Sequence, residues 1–156
     1  MIQIIHRFYS GSLRVIRKFM NSTELTILYD GGCPLCLREV RFLKSRDRLK
    51  KLNFVDIDSS DYDPSANKNI SYRESMKTIH AITNEGDVIR NLEVFRRAYS
   101  IIGLGWIYSP TKWPILVKIF DSIYSIWAKY RLKITSRPTL EKLCECKVIS
   151  PSDSSR

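Results

Sequence analysis

A chain of 156 residues is long enough for one domain with its own core, and 44% hydrophobic against 27% charged residues excludes a disordered composition. The net charge of +10 gathers at the ends: residues 1–20 carry four Lys/Arg and no acid, 21–80 ten against nine, and 81–156 twelve against seven. With no zinc-finger, RNP-like or helix-turn-helix pattern, this distribution argues against a nucleic-acid partner and for a solvated basic surface, weakly attractive to anionic partners such as a membrane surface.

The opening stretch, MIQIIHRFYSGSLRVIRKFM, has the composition of an amphipathic targeting or membrane-surface segment. It lacks the unbroken apolar run and small-residue cleavage site of a secretory signal, so export is not indicated. The alternative is a translation start at Met20, with the preceding residues outside the fold. Either way residues 1–22 read as a basic amphipathic extension.

LTILYD, Leu25 to Asp30, is a β-rich run, and Gly31 and Gly32 end it with residues tolerant of unusual backbone angles. Pro34 suits the first position of a helix, where its missing N–H costs nothing. Cys36, Val40 and Leu43 then share one face while Arg38, Arg41, Lys44 and Arg46 fall largely on the other, which predicts an amphipathic helix to about Asp47. LNFVDI, Leu52 to Ile57, reads as a second strand, and the ~20 residues between the strands accommodate a helical crossover and parallel pairing.

A polar loop with Pro64 follows, then a helical turn over Tyr72 to Met76. TIHAIT, NEGD and VIR read as strand, turn and strand, an antiparallel hairpin. Leu92, Phe95, Tyr99 and Ile102 recur at helical spacing after Asn91, an expected N-cap, and GLGW ends that helix.

Pro114 to about Leu132 predicts a further helix, rich in Ile, Phe, Tyr and Trp127. Lys118, Asp121 and Lys129 interrupt it, each costing ~2.5 to 3.5 kcal/mol near a membrane centre, so spanning is not expected. Its aromatic face reads as packing on the sheet, with an interfacial or partner-binding face as the alternative. Residues 144–156, ending in SPSDSSR, read as a flexible tail. There is no internal repeat.

The order β-α-β-(α)-β-β-α, parallel strands first and a hairpin second, is that of an α/β, thioredoxin-like sheet with an additional C-terminal helix, occupying 23–143.

Cys33 and Cys36 fall at the start of the first helix. There the Cys33 sulfur faces unpaired backbone N–H groups and the positive end of the helix dipole, which favour thiolate over thiol. A mixed disulfide formed at Cys33, the nucleophile, is then open to attack by Cys36, the resolving thiol, one turn deeper and shielded. The dipole contributes about 0.3 to 2 kcal/mol, which brings a free thiol near ~8.5 down to roughly 7 to 8. A deeper depression requires a cationic partner, and Pro34 and Leu35 supply none, while Arg38 and Arg41 point away. The expectation is a mildly reducing dithiol.

Asp30 has two readings. It bonds the turn amides at Gly32 or Cys33, or it takes the Cys36 proton during resolution while raising the Cys33 pKa. His80, within a strand, reads as a packed or hydrogen-bonded residue rather than a base. Cys144 and Cys146, in CEC, keep a four-thiolate zinc site in view, though the spacing is unusual for zinc. The expectation is no metal and no bound cofactor.

At YDGGCPLC, with the following REVRFLKSRD, the chain resembles the DCC family of thiol-disulfide oxidoreductases, the Asp and two Cys of that motif falling on Asp30, Cys33 and Cys36. The likeness continues through FVDID, IHAI, EVFRRAY, GLGWIYSPT and IWAKYRLK, covering about Ile27 to Leu143. The resemblance implies a thioredoxin-like fold and dithiol redox activity. Thioredoxins themselves carry a cis-proline before the third strand, where it helps hold a substrate backbone, and the corresponding YRESMKTIHAI has no proline.

The function expected is disulfide exchange through Cys33 and Cys36, with disulfide-containing proteins or small thiols as partners. A reducing compartment suits a catalytic pair. Cytoplasm is the first expectation, an organelle the alternative if residues 1–20 are a transit peptide. The rival is a non-enzymatic adaptor or Cys-metal-binding module that uses the aromatic C-terminal helix.

Overall fold

A computed structural model describes residues 23–112 and 114–149; the expected basic extension over 1–22, and the end of the expected tail from 150 on, lie outside the described residues. The elements are β1 (Leu25–Tyr29), α1 (Pro34–Arg46), β2 (Leu52–Asp56), α2 (Tyr72–Lys77), β3 (His80–Thr83), β4 (Val88–Arg90), α3 (Leu92–Ile101), α4 (Pro114–Ile134) and α5 (Leu140–Ile149), with short 3-10 segments at Ser65–Asn67 and Gly105–Lys112. The four strands form one mixed sheet in the order β2-β1-β3-β4. β1 and β2 are parallel, with Leu25 opposite Leu52 and Tyr29 opposite Asp56. β3 lies antiparallel on β1, with Leu28 opposite His80, and β4 antiparallel on β3. This is the thioredoxin-like α/β arrangement expected from the element order.

β1 organises the core because both of its faces are covered. Leu25 and Ile27 join Leu43, Leu52, Ala81, Val94, Ala98 and Tyr99 on one side. Leu28 joins Ile57, Ile70 and Met76 on the other. A strand flanked by paired strands and buried on both faces needs a near-continuous apolar run, which LTILY supplies.

α1 begins as the sequence predicts. Cys33 is the N-cap, Pro34 stands at the first helical position, Val40 and Leu43 are buried, and Lys44 and Arg46 sit in the last turn, where cations suit the carbonyl end. Asp47 closes the helix and accepts from the N–H groups of Lys51 at 3.0 Å and Leu52 at 2.8 Å, which sets the entry into β2. α2 opens with a capping box in which Ser71 and Glu74 satisfy each other's backbone N–H.

Three local expectations are revised. Gly31 and Gly32 do not take left-handed angles; a Cβ at Gly31 would overlap the Asp56 carboxylate, and one at Gly32 the Arg137 guanidinium. The glycines are needed for close approach, not for φ. Asn91 precedes α3 but makes no side-chain cap; it takes φ 58 and accepts from Thr78 Oγ1 instead. Residues 144–149, the first part of the expected flexible tail, continue in helix α5, which carries Cys144 and Cys146.

α4 divides its faces differently from the simple packing expectation. Tyr124 contacts Phe95 of α3 edge-on, accepts from the Ile79 N–H at 3.1 Å and stands beside Trp127, so the aromatic side turns inward. Ile119, Ile123, Ile126, Tyr130 and Ile134 form an outward stripe, 47% to 63% exposed. Among the described residues, no helix is long and apolar enough to cross a membrane.

The two-sided core makes a direct prediction for stability. Leu43→Ala removes a side chain packed under β1 and is expected to cost about 2 to 5 kcal/mol, whereas Ser71→Ala, which opens the capping box, costs about 1 kcal/mol. Urea unfolding of the two variants against the parent checks the ranking; equal losses would contradict the placement of Leu43.

Candidate active site

The CPLC segment turns out of β1 and straight into α1, so both thiols are carried by the best-packed part of the sheet. Cys33, as N-cap, places its sulfur 3.3 Å from the Cys36 N–H. Cys36, one turn on, directs its own sulfur to 2.8 Å from that of Cys33, with its thiol donating. Both cysteines are free thiols, and the gap is wider than the ~2.05 Å of a disulfide. The two sulfurs are in direct contact, with the Cys36 thiol directed at Cys33.

That contact polarises the two groups in opposite directions. Cys33 is lowered to about 6, chiefly because the Cys36 thiol donates to it, with help from the Cys36 backbone N–H and the Arg131 charge; burial and Asp30 oppose. Cys36 is pushed up by donating its hydrogen bond to Cys33 and by burial, with Arg131 opposing. The fall exceeds what a helix dipole gives, because a neighbouring S–H and a guanidinium add to it.

The guanidinium is the feature that the sequence reading missed. Arg131 of α4 reaches in with Nη1 3.2 Å from the Cys36 sulfur and 3.7 Å from Asp30 Oδ2, while Nη2 donates to the Met76 carbonyl at 2.8 Å. It is a nearly buried arginine, 7% exposed. A second one, Arg137, bridges Asp30 Oδ1 at 3.0 Å and Asp58 Oδ2 at 3.2 Å. Arg131 follows Tyr124 and Trp127 on the inward face at helical spacing, so an arginine falling on an apolar stripe was a readable signal. Arg137, in the turn between α4 and α5, left none.

Asp30 combines the turn and active-site positions. Its Oδ1 accepts from the Gly32 N–H at 3.0 Å, which is the turn bond expected. Its side chain is fully buried between two arginines, and burial is the main reason its pKa is raised despite those charges. Oδ2 is buried without a hydrogen-bond donor, leaving an acceptor on the thiol side of the turn. Asp56 completes the turn by accepting from the Gly31 N–H at 2.9 Å.

Exposure reverses the expected order of the thiols: Cys33 is 1% exposed, and Cys36 is the one partly open. Cys36 and Arg131 line a cavity of about 220 Å³ between α1, α3 and α4. His80 is buried, 2.9 Å from the Thr78 carbonyl through Nδ1, and burial lowers its pKa. That is the packed role expected of it. Cys144 and Cys146 stand on α5, and among the described residues no three His, Cys, Asp or Glu side chains converge as a metal site would require.

Comparison with known proteins agrees with the chemistry of the turn. The family model for DCC1-like thiol-disulfide oxidoreductases matches residues 27–137. An uncharacterized chloroplastic protein of Arabidopsis thaliana is 45% identical over 125 residues, covering 80% of this chain and 58% of the relative, so the chain spans less than two thirds of that relative's length. No solved structure matches. With the matched region running from β1 through both arginines, the chain belongs to the DCC1-like thiol-disulfide oxidoreductase family.

Proposed function

We propose that the chain catalyses thiol-disulfide exchange through Cys33 and Cys36. The observation that carries this reading is the 2.8 Å contact between the two sulfurs at the start of α1, beside Arg131 and Asp30. The Cys33 thiolate attacks one sulfur of a substrate disulfide, the substrate S–S bond breaks, and the first thiolate leaves. Cys36 then gives up its proton to Asp30 or to the departing sulfur and attacks Cys33. The second thiol departs, and the protein is left with a Cys33–Cys36 disulfide after two-electron reduction of the substrate. No bound cofactor is required.

A second order of attack has an observation of its own. Cys36 lines the cavity and holds the Arg131 guanidinium, whereas Cys33 is enclosed. In that order Cys36 meets the substrate once it has given up its proton, and Cys33 resolves.

Partners are disulfide-containing proteins or small disulfides and thiols. The chloroplastic relative, with the basic, acid-free composition of residues 1–20, supports an organellar setting over a cytoplasmic one.

Two measurements follow. Alkylation of Cys33 in the reduced protein, followed at that residue by peptide mass mapping, should rise with pH through a midpoint near 6 and level off above it, because the depressed group is Cys33 at about 6 and only the thiolate reacts. Arg131→Met removes a charge that lowers both thiols, so the midpoint should move up; a parent midpoint near the ordinary ~8.5 would contradict the coupled pair. In trapping experiments, Cys36→Ser should accumulate mixed disulfides at Cys33 if Cys33 attacks, and Cys33→Ser should accumulate them at Cys36 if the cavity-facing thiol attacks. Absence of adducts from both variants would refute exchange.

A further inference from the structure

Resting on the dithiol reading, we infer that the cavity beside Cys36 is a substrate pocket for a ring-sized apolar group carried close to the disulfide being reduced. Its volume, about 220 Å³, is that of one aromatic ring with its linker rather than a folded protein segment. The wall is a train of half-buried rings: Tyr108 stacks on Phe95 at 6.4 Å, Phe95 meets Tyr124 edge-on at 6.0 Å, and Tyr124 abuts Trp127 at 5.8 Å. Rings so placed offer faces and edges to an incoming apolar group. Cys36 and Arg131 share the same lining, so a group seated there brings its attached sulfur to the dithiol.

The surroundings favour a side group over an extended backbone. Ile79, which lines the cavity just before β3, has its N–H taken by the Tyr124 hydroxyl at 3.1 Å. A peptide laid across that edge finds no donor at this position. The reaction balances as ordinary exchange: the reduced pair and R–S–S–R become the Cys33–Cys36 disulfide and two R–SH, whichever sulfur attacks first. Arg131 faces the Cys36 sulfur, on which negative charge develops when Cys36 gives up its proton.

The test compares dibenzyl disulfide with bis(hydroxyethyl) disulfide in single-turnover reduction by the pre-reduced full chain, since both release alkyl thiols of similar acidity. The benzyl compound should react about tenfold or more faster, the effect of burying one ring. Ala98→Leu, which fills the cavity, and Phe95→Ala, which removes the central ring of its wall, should each remove most of that preference while leaving the hydroxyethyl rate. The hydroxyethyl rate also reports whether each variant is folded. A cystine peptide with Phe beside the cysteine, compared with one carrying Ser there, separates sources: faster reduction of the Phe peptide places the group on proteins, and a benzyl preference without it places the group on small molecules. Equal rates for the two small disulfides, or a preference that survives both substitutions, would overturn the pocket and leave the exchange reading standing. No reduction of either would sink exchange and the pocket together.

Discussion

The structure depends on one buried carboxylate being balanced. Asp30 sits at the end of the central strand with no exposed side-chain surface, and its charge is compensated by Arg131 at 3.7 Å and Arg137 at 3.0 Å. Leaving such a charge uncompensated is far costlier than replacing the whole cluster by apolar groups, so the three residues stand or fall together. Each arginine is in turn held by something else: Arg131 by the Met76 carbonyl, Arg137 by Asp58. The turn that carries the dithiol is thereby tied to α2, to the segment after β2 and to the end of α4.

That arrangement also settles the electrostatics of the thiols. Cys33 alone, as a helix N-cap, would be modestly acidic. Its neighbour's S–H and the Arg131 charge take it further, while Asp30 and burial hold it back. The outcome is a pair of touching sulfurs in which the thiol with the lowered pKa and the better exposed sulfur are different atoms. The thiol with the lowered pKa is enclosed, and the open one meets the cavity.

Most of the frame was legible because it rests on local rules. A β-rich run marked β1, Pro34 and the apolar spacing from Cys36 marked α1, and the NEGD turn marked the hairpin, all of which the structure bears out. The dithiol and Asp30 were readable from type and spacing in the same way. What escaped was long-range. That Gly31 and Gly32 make room for Asp56 and Arg137 cannot be read from a dipeptide whose usual explanation is backbone freedom. Asn91 looks like a cap but is drawn off by Thr78. The helical course of Leu140–Ile149 had no strong amphipathic period to announce it, and the cationic partner the thiols lacked locally arrived from a helix near the other end of the chain.

The distance between those partners orders events during synthesis. Arg131 lies 95 residues beyond Cys36, and Arg137 lies 107 beyond Asp30. At roughly 5 to 20 residues per second, a ribosome exposes the CPLC segment some 5 to 20 s before it has added the arginines. Throughout that interval the nascent thiols lack the Arg131 contribution to their acidity, and Asp30 lacks both of its counter-charges. The electrostatic setting of the two thiols is therefore a property of the finished tertiary structure rather than of the motif, and the emerging polypeptide carries them without it.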